Sequence, residues 1–206
     1  RIKMNRALRR QQKKLHRKGA PRHSKTTGQS LSRVLIAVQR GEHREAFNQA
    51  FSLFSNGGRR DAAAVAASAA LNIEPIGDAI EAFAKLANAA PDDAGIQNDF
   101  GGLLCKAHRF KEAEQALRHA LESHPTDGGT LFNLGHSLLG QERYQDAEMV
   151  FKQAVKRLPQ NPAVFAGLGD ALDSQERSLE ALEFFRKAYN LIPGEKRFRE
   201  KLEKNS

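Results

Sequence analysis

One thiol, seven imidazoles and a pair of adjacent acids are the groups in this chain of 206 residues that could carry chemistry. Cys105 would attack as a thiolate, which needs a neighbouring cation or base; it stands beside Leu103 and Leu104, where a small packing residue fits better. His119 and His124 are five apart, on different faces of a helix or astride its end, so they do not share a metal. Asp92 and Asp93 follow Pro91, a place for a helix cap rather than for an acid–base pair. The chain has no G-x-S-x-G, no phosphate-binding loop, no dinucleotide fingerprint and no H-E-x-x-H. No catalysis, no metal and no cofactor are therefore expected. A single cysteine forms no internal disulfide and suits a reducing compartment.

Charge is the second chemical resource. The net charge is +9, but twelve of the 33 basic residues lie within residues 1–33, which hold no acid, leaving 21 basic against 24 acidic residues beyond. This leader, residues 1–29, carries Arg6, Arg9, Arg10, Lys13, Lys14, Arg17 and Lys18 where a secretory signal would need its apolar stretch. No segment approaches the roughly 18 apolar residues of a membrane span, so a cytoplasmic protein is expected. Met4, Leu8 and Leu15 form a thin apolar stripe, enough for a transient helix and too little for strong insertion into lipid. The leader's charge could draw in an acidic protein surface, nucleic acid or anionic lipid, with an affinity that falls as salt rises. It has no aromatic residue to stack on bases, and a disordered, solubilising tail is the other reading.

The elements that would position any site follow from an internal period. Gly101, Gly135 and Gly169 are 34 residues apart, as are Ala113, Ala147 and Ala181, Ala120, Ala154 and Ala188, and Pro125, Pro159 and Pro193. Within one copy, Leu131, Leu134 and Leu138 recur at three and four residues and line one helical face; Ala147, Phe151 and Ala154 line a second. A glycine inside a helix costs about 1 kcal/mol relative to alanine, so its recurrence predicts close approach of the partner helix. The small alanines serve the same contact from the other side, and proline ends the second helix. Each copy is thus predicted to be a helical hairpin whose open apolar side is covered by its neighbour, at about 2–3 kcal/mol per buried Phe or Leu.

These columns resemble the tetratricopeptide repeat, whose pattern runs aromatic-x₂-Leu-Gly-x₂-aromatic, then Ala-x₃-Phe, then Pro. The middle copy supplies Leu131, Leu134, Gly135, Leu138, Ala147, Phe151 and Pro159, with leucine in the aromatic places; the next supplies Phe165, Leu168, Gly169, Leu172, Ala181, Phe185 and Pro193. The first supplies Phe100, Gly101, Leu104, Ala113, Leu117 and Pro125, with Gln97 as its poorest match and the mark of a looser joint. Ala79, Phe83 and Pro91 carry the columns back one period, to a degenerate copy with an alanine-rich first helix and Ala67 in the glycine place. The resemblance implies an all-α, right-handed α-solenoid of antiparallel helix pairs. Its expected divisions are the leader 1–29, a divergent hairpin 30–59, a degenerate repeat 60–93, repeats 94–127, 128–161 and 162–195, and a capping helix 196–206 around Phe198 and Leu202.

In this family the first helices line a concave groove that receives an extended peptide or a partner helix. Carried over by helical face, the groove residues would be Asn98, Asp99, Lys106, Phe132, Asn133, His136, Asp170 and Asp173. Some members clamp a chaperone's C-terminal carboxylate with Lys, Asn and Arg at fixed points. Here Asn133 matches one point, whereas Asn98, Gly102, Ala163 and Gly167 occupy the others, which argues against that ligand. Asn133 and Asp99 would instead bond a peptide backbone.

From Met4, MNRALRRQQKK is similar to the start of bacterial proteins in which a short basic leader precedes such repeats, so residues 1–3 would lie ahead of the natural start. In several of those proteins a methyl-, sulfo- or glycosyltransferase domain follows. The resemblance therefore implies a protein-binding adaptor, with the recognition module of a transferase as the alternative.

Overall fold

A computed structural model describes residues 25–57 and 60–204. Among them the regular structure is α-helical throughout, with no strand, and the chain divides into two compact units, Arg1–Pro75 and Ile76–Ser206. Residues 1–24 of the basic leader lie outside the described residues, and 25–29 open the first helix.

The first unit holds α1 (Lys25–Arg40), α2 (His43–Gly57) and α3 (Arg60–Ala70), with α2 packed on both its neighbours. Its core joins Leu31, Val34 and Leu35 of α1 and Phe47 and Ala50 of α2 to a stripe of buried alanines on α3, Ala62, Ala66 and Ala70. Side chains this small let α3 lie close to α2. The two helices of the region 60–93 consequently fall in different units. α3 pairs with α2, whereas α4 (Gly77–Ala89), which buries Ala79, Phe83 and Ala87, belongs to the second unit and packs on the helix that follows it.

That second unit continues with α5 (Ala94–Lys106) and α6 (Phe110–Ser123), α7 (Gly128–Gly140) and α8 (Tyr144–Arg157), α9 (Pro162–Asp173) and α10 (Ser178–Leu191), and ends in α11 (Lys196–Lys204). Each helix packs on the next in sequence, and the first helices α5, α7 and α9 also touch one another in succession. Their mutual contact places them on the inner side of the stack.

The glycine column does what its recurrence predicts. A Cβ at Gly101 would stand 2.5 Å from Leu117, one at Gly135 2.6 Å from the Phe151 ring, and one at Gly169 2.7 Å from the Phe185 ring. Leu117, Phe151 and Phe185 are fully buried, as are Ala113, Ala147 and Ala181 beside them. Gly167 presses on Phe151 from the next repeat, also at 2.6 Å, so one ring ties two hairpins together.

Each hairpin's turn repeats too. His108, Glu142 and Glu176 take the left-handed conformation (φ 58°, 60° and 62°), and Gly41 takes it between α1 and α2 (φ 77°). In each case this residue's N–H reaches back three residues and the next N–H reaches back five, as from Glu176 to Asp173 (3.0 Å) and Arg177 to Leu172 (3.1 Å). Left-handed backbone disfavours any side chain with a Cβ. Glu176→Gly is therefore expected to stabilise the protein by about 0.5–1 kcal/mol, read as a higher urea midpoint. An unchanged or lower midpoint would show that the turn is not strained.

Caps and stops complete the register. Asp93 accepts from the N–H groups of Gly95 and Ile96 (3.0 Å each), Asp127 from Thr130 (2.7 Å) and Asn161 from Ala163 (3.0 Å), again at intervals of 34. Ala90, His124, Leu158 and Ile192, each before a proline, leave the helix at φ between −139° and −128°. Gln97, expected to mark a loose joint, is 6% exposed and donates to the carbonyls of Ala87 (3.1 Å) and Pro91 (3.2 Å). It latches α5 to the end of α4 where other copies use an apolar contact.

On the second helices a polar clamp joins successive repeats. Glu148 accepts from Lys152 (2.6 Å), Gln175 (2.9 Å) and Arg177 (2.7 Å), and one repeat earlier Glu114 accepts from Gln141 (2.8 Å) and Arg143 (2.9 Å). Burial works to raise both carboxyls, but these donors outweigh it and hold Glu114 and Glu148 below the ordinary carboxylate range.

Candidate partner-binding groove

On the inner wall of the second unit lies a pocket of about 690 Å³ of mixed polar and apolar lining, open to solvent and formed at the C-terminal ends of α5, α7 and α9. Of the residues expected in the groove it brings together Lys106, His136 and Asp170. Cys105 and Leu139 lie on the same first helices and Ser174 caps the end of α9, while Phe110 and Tyr144 enter from the starts of α6 and α8 and Lys201 from α11.

Phe110 and Tyr144 are groove residues that helical-face reasoning on the first helices does not reach. They sit 34 residues apart, each two residues after a left-handed turn, so a matched aromatic column was their only signal. A Cβ at Gly140 would stand 2.4 Å from the Phe110 ring, which seats that ring against the next repeat.

Further along the wall, Asn133 of α7 donates to the side-chain oxygen of Asn98 on α5 (3.0 Å), and its backbone carbonyl lies 3.6 Å from the Cys105 sulfur. These two amides therefore form a bridge across two first helices rather than isolated surface groups. Asp99 is on the same helix as Asn98, one residue on, and half-buried.

Phe132 and His136 straddle core and groove. The His136 ring meets Phe132 edge to face at 4.6 Å between centroids and Phe151 at 5.5 Å, and Phe132 also packs among Leu131, Ala154 and Val164. Burial pushes the His136 imidazolium below its ordinary value; Asp170 opposes this and Arg197 adds to it. At pH 7 the imidazole is neutral. A histidine depressed in this way stabilises the fold fully above its unfolded value of about 6.5 and loses that contribution as pH falls below it. An NMR titration is expected to place His136 below the ordinary histidine value of about 6.5, and His136→Phe should flatten the loss of stability between pH 6.5 and 5. A His136 titration at or above 6.5 would contradict this environment.

Asp170, which lines the pocket, and Asp173, both expected in the groove, also meet α11. Asp170 bonds Arg197 and Lys201, the latter at 3.3 Å; Asp173 bonds Lys201 at 3.0 Å and Ser178 at 3.2 Å. Burial works against the Lys201 ammonium, but Asp173 and Asp170 prevail and raise it above its usual value.

Burial pushes the Cys105 thiol up to about 12, so it remains protonated at neutral pH and is a poor nucleophile. Among the described residues no group of three His, Cys, Asp or Glu side chains is placed to hold a metal, and no helix is long and apolar enough to cross a membrane. Arg6, Arg9, Arg10, Lys13, Lys14, Arg17 and Lys18 of the leader lie outside the described residues.

Comparison with known proteins gives the same architecture. Residues 132–196 match the family model of the tetratricopeptide repeat. A thermophilic tetratricopeptide-repeat protein of Thermus thermophilus is similar at TM-score 0.70 and 18% identity, over 86% of this chain and 97% of that one. MamA from Desulfovibrio magneticus RS-1 is similar at TM-score 0.64 and 18% identity (84% and 98% covered), and MamA of AMB-1 at 0.61 and 20% (81% and 99%). No curated protein matches the chain. At these identities the structural likeness carries the fold alone. With its 34-residue hairpins and its glycine, alanine and proline columns, the chain has the fold of tetratricopeptide-repeat proteins, and residues 132–196 match that family's model.

Proposed function

We propose that the chain is a protein-interaction scaffold, without catalysis of its own, whose second unit holds an extended peptide of a partner along α5, α7 and α9. The observation that carries this reading is the pocket on the inner wall, where the aromatic faces of Phe110, Tyr144 and His136 stand beside the polar ends of Lys106, Ser174 and Lys201. A concave site that combines apolar surface with a few convergent polar groups is the usual form of a recognition site. The Asn98–Asn133 bridge beside it offers amide groups to a backbone, since each amide has more donors and acceptors than the single bond between them uses. Aromatic anchors of this kind carry most of the energy of an interface. The single free thiol supports a reducing cytoplasm as the setting.

Partners captured from lysate by the full chain would be identified and purified, and their affinity measured for the wild type and for Asn133→Ala/Tyr144→Ala. Loss of a backbone contact and an aromatic anchor is expected to weaken binding at least about tenfold. Equal affinity, with the helical spectrum of the variant unchanged, would overturn the groove as the binding site.

A further inference from the structure

We propose that the acidic end of the groove, Asp170 and Asp173, is a docking site for a basic amphipathic helix of a partner protein, and that α11 is the chain's own occupant of it. The proposal rests on the groove reading above and names the partner chemistry for one end of it.

The geometry points to α11 as a replaceable element. Lys201 stands 34 residues after Gly167, so α11 occupies the place of the first helix of a further repeat. Its Lys201 ammonium lies 5.1 Å from the centroid of the Phe185 ring, where Gly167 covers Phe151 one repeat earlier. α11 is held in place by what it touches. It has one fully seated apolar anchor, Phe198 at 6% exposure, against Phe165, Ala166 and Ala188. Leu202 is half-buried, and Arg197 and Lys201, one turn apart, pair with the two carboxylates of α9. Lys196, Arg199, Glu200 and Glu203 point to solvent.

The recognition pattern is therefore a basic residue, a phenylalanine directly after it, and a second basic residue three positions further on. Asp170 and Asp173, each 20% exposed in the folded chain, lose their counterions on α11 when that helix leaves. Both carboxylates reach the one Lys201 ammonium, so the bare site is a paired negative charge that favours either α11 or another helix of like charge. Lys201 also forms part of the pocket wall, so displacement of α11 lengthens the groove at that end. Segments held by few buried contacts open at low free energy, which makes exchange accessible.

The probe is a fluorescent peptide of residues 195–204, EKRFREKLEK, titrated into the full chain. An intramolecular competitor lowers apparent affinity by the fraction of sites left open, so wild type should bind weakly. Arg197→Glu/Lys201→Glu, which turns α11 against the two aspartates, is expected to bind the peptide about ten- to hundredfold more tightly. Adding Asp170→Asn and Asp173→Asn should remove that gain. Hydrogen exchange run in parallel is expected to show faster amides over 196–204 in the Glu variant with α7–α10 still protected, which establishes that the rest remains folded. Equal peptide affinity in wild type and Glu variant, binding that survives both Asn changes, or undiminished protection of α11 would each overturn the proposal. If partner binding still depends on Asn133 and Tyr144 in that case, the groove reading stands without it.

Discussion

Phe151→Ala is expected to destabilise the protein by about 3–5 kcal/mol, a large part of the 5–15 kcal/mol that holds a typical domain together. The ring is fully buried, and it is wedged between the backbones at Gly135 of its own hairpin and Gly167 of the next. Its removal opens a cavity at an intra-repeat and an inter-repeat contact together. Because repeat stability is a sum of hairpin and neighbour contributions, the loss should appear as a broader, less cooperative urea transition as well as a lower midpoint. The groove should suffer too, since His136 leans on this ring at 5.5 Å and Phe132 at 6.2 Å. A shift below about 1 kcal/mol would mean that the stack closes over the gap and that Phe151 does not join the repeats.

Filling the same contact from the other side should be costly for the opposite reason. Gly135→Ala and Gly167→Ala would each gain about 1 kcal/mol from helix propensity on an open surface. Here the new Cβ falls 2.6 Å from a rigid ring, and overpacking is expected to reverse the sign, to a net loss of about 1–3 kcal/mol per site. Gly101→Ala should be milder, because its neighbour is the branched end of Leu117, which can rotate aside. In a Phe151→Ala background both glycine changes should become neutral or stabilising. Thermal unfolding of the single and double variants measures that coupling, and simple additivity would refute the steric account.

The parts of the fold that were legible in the sequence are those where sterics leave one choice. Gly135 must admit a ring, Ala147 must admit a helix, and Pro159 must end one, so these columns repeat by residue type. Asp93 was likewise readable as a cap from its place after Pro91. The left-handed turns were not, because His108, Glu142 and Glu176 share a backbone conformation and no common side chain. The clamp was hidden for a related reason: Glu114 and Glu148 belong to one column, but Leu182 and Ile80 occupy it elsewhere.

The groove was legible along one helix at a time. Face projection found Lys106, His136 and Asp170 and passed over Phe110 and Tyr144, which reach the pocket from the second helices. The second partners of Asp170 and Asp173 were hidden because α11 reads alone as a solvated cap, and only three-dimensional stacking brings Arg197 and Lys201 onto them. The split between α3 and α4 is similar. Both fit a single period on paper, and burial of α3's alanines against α2 decides where that helix goes.

Another protein is expected to sit on the inner wall of the second unit. A photo-crosslinking amino acid placed at Tyr144, and separately at the exposed Lys187 of α10, tests this directly in the full chain with a purified partner. Adducts from position 144 that vanish on adding excess unlabelled partner, with none from position 187, are the predicted result. Adducts from 187 and none from 144 would contradict it.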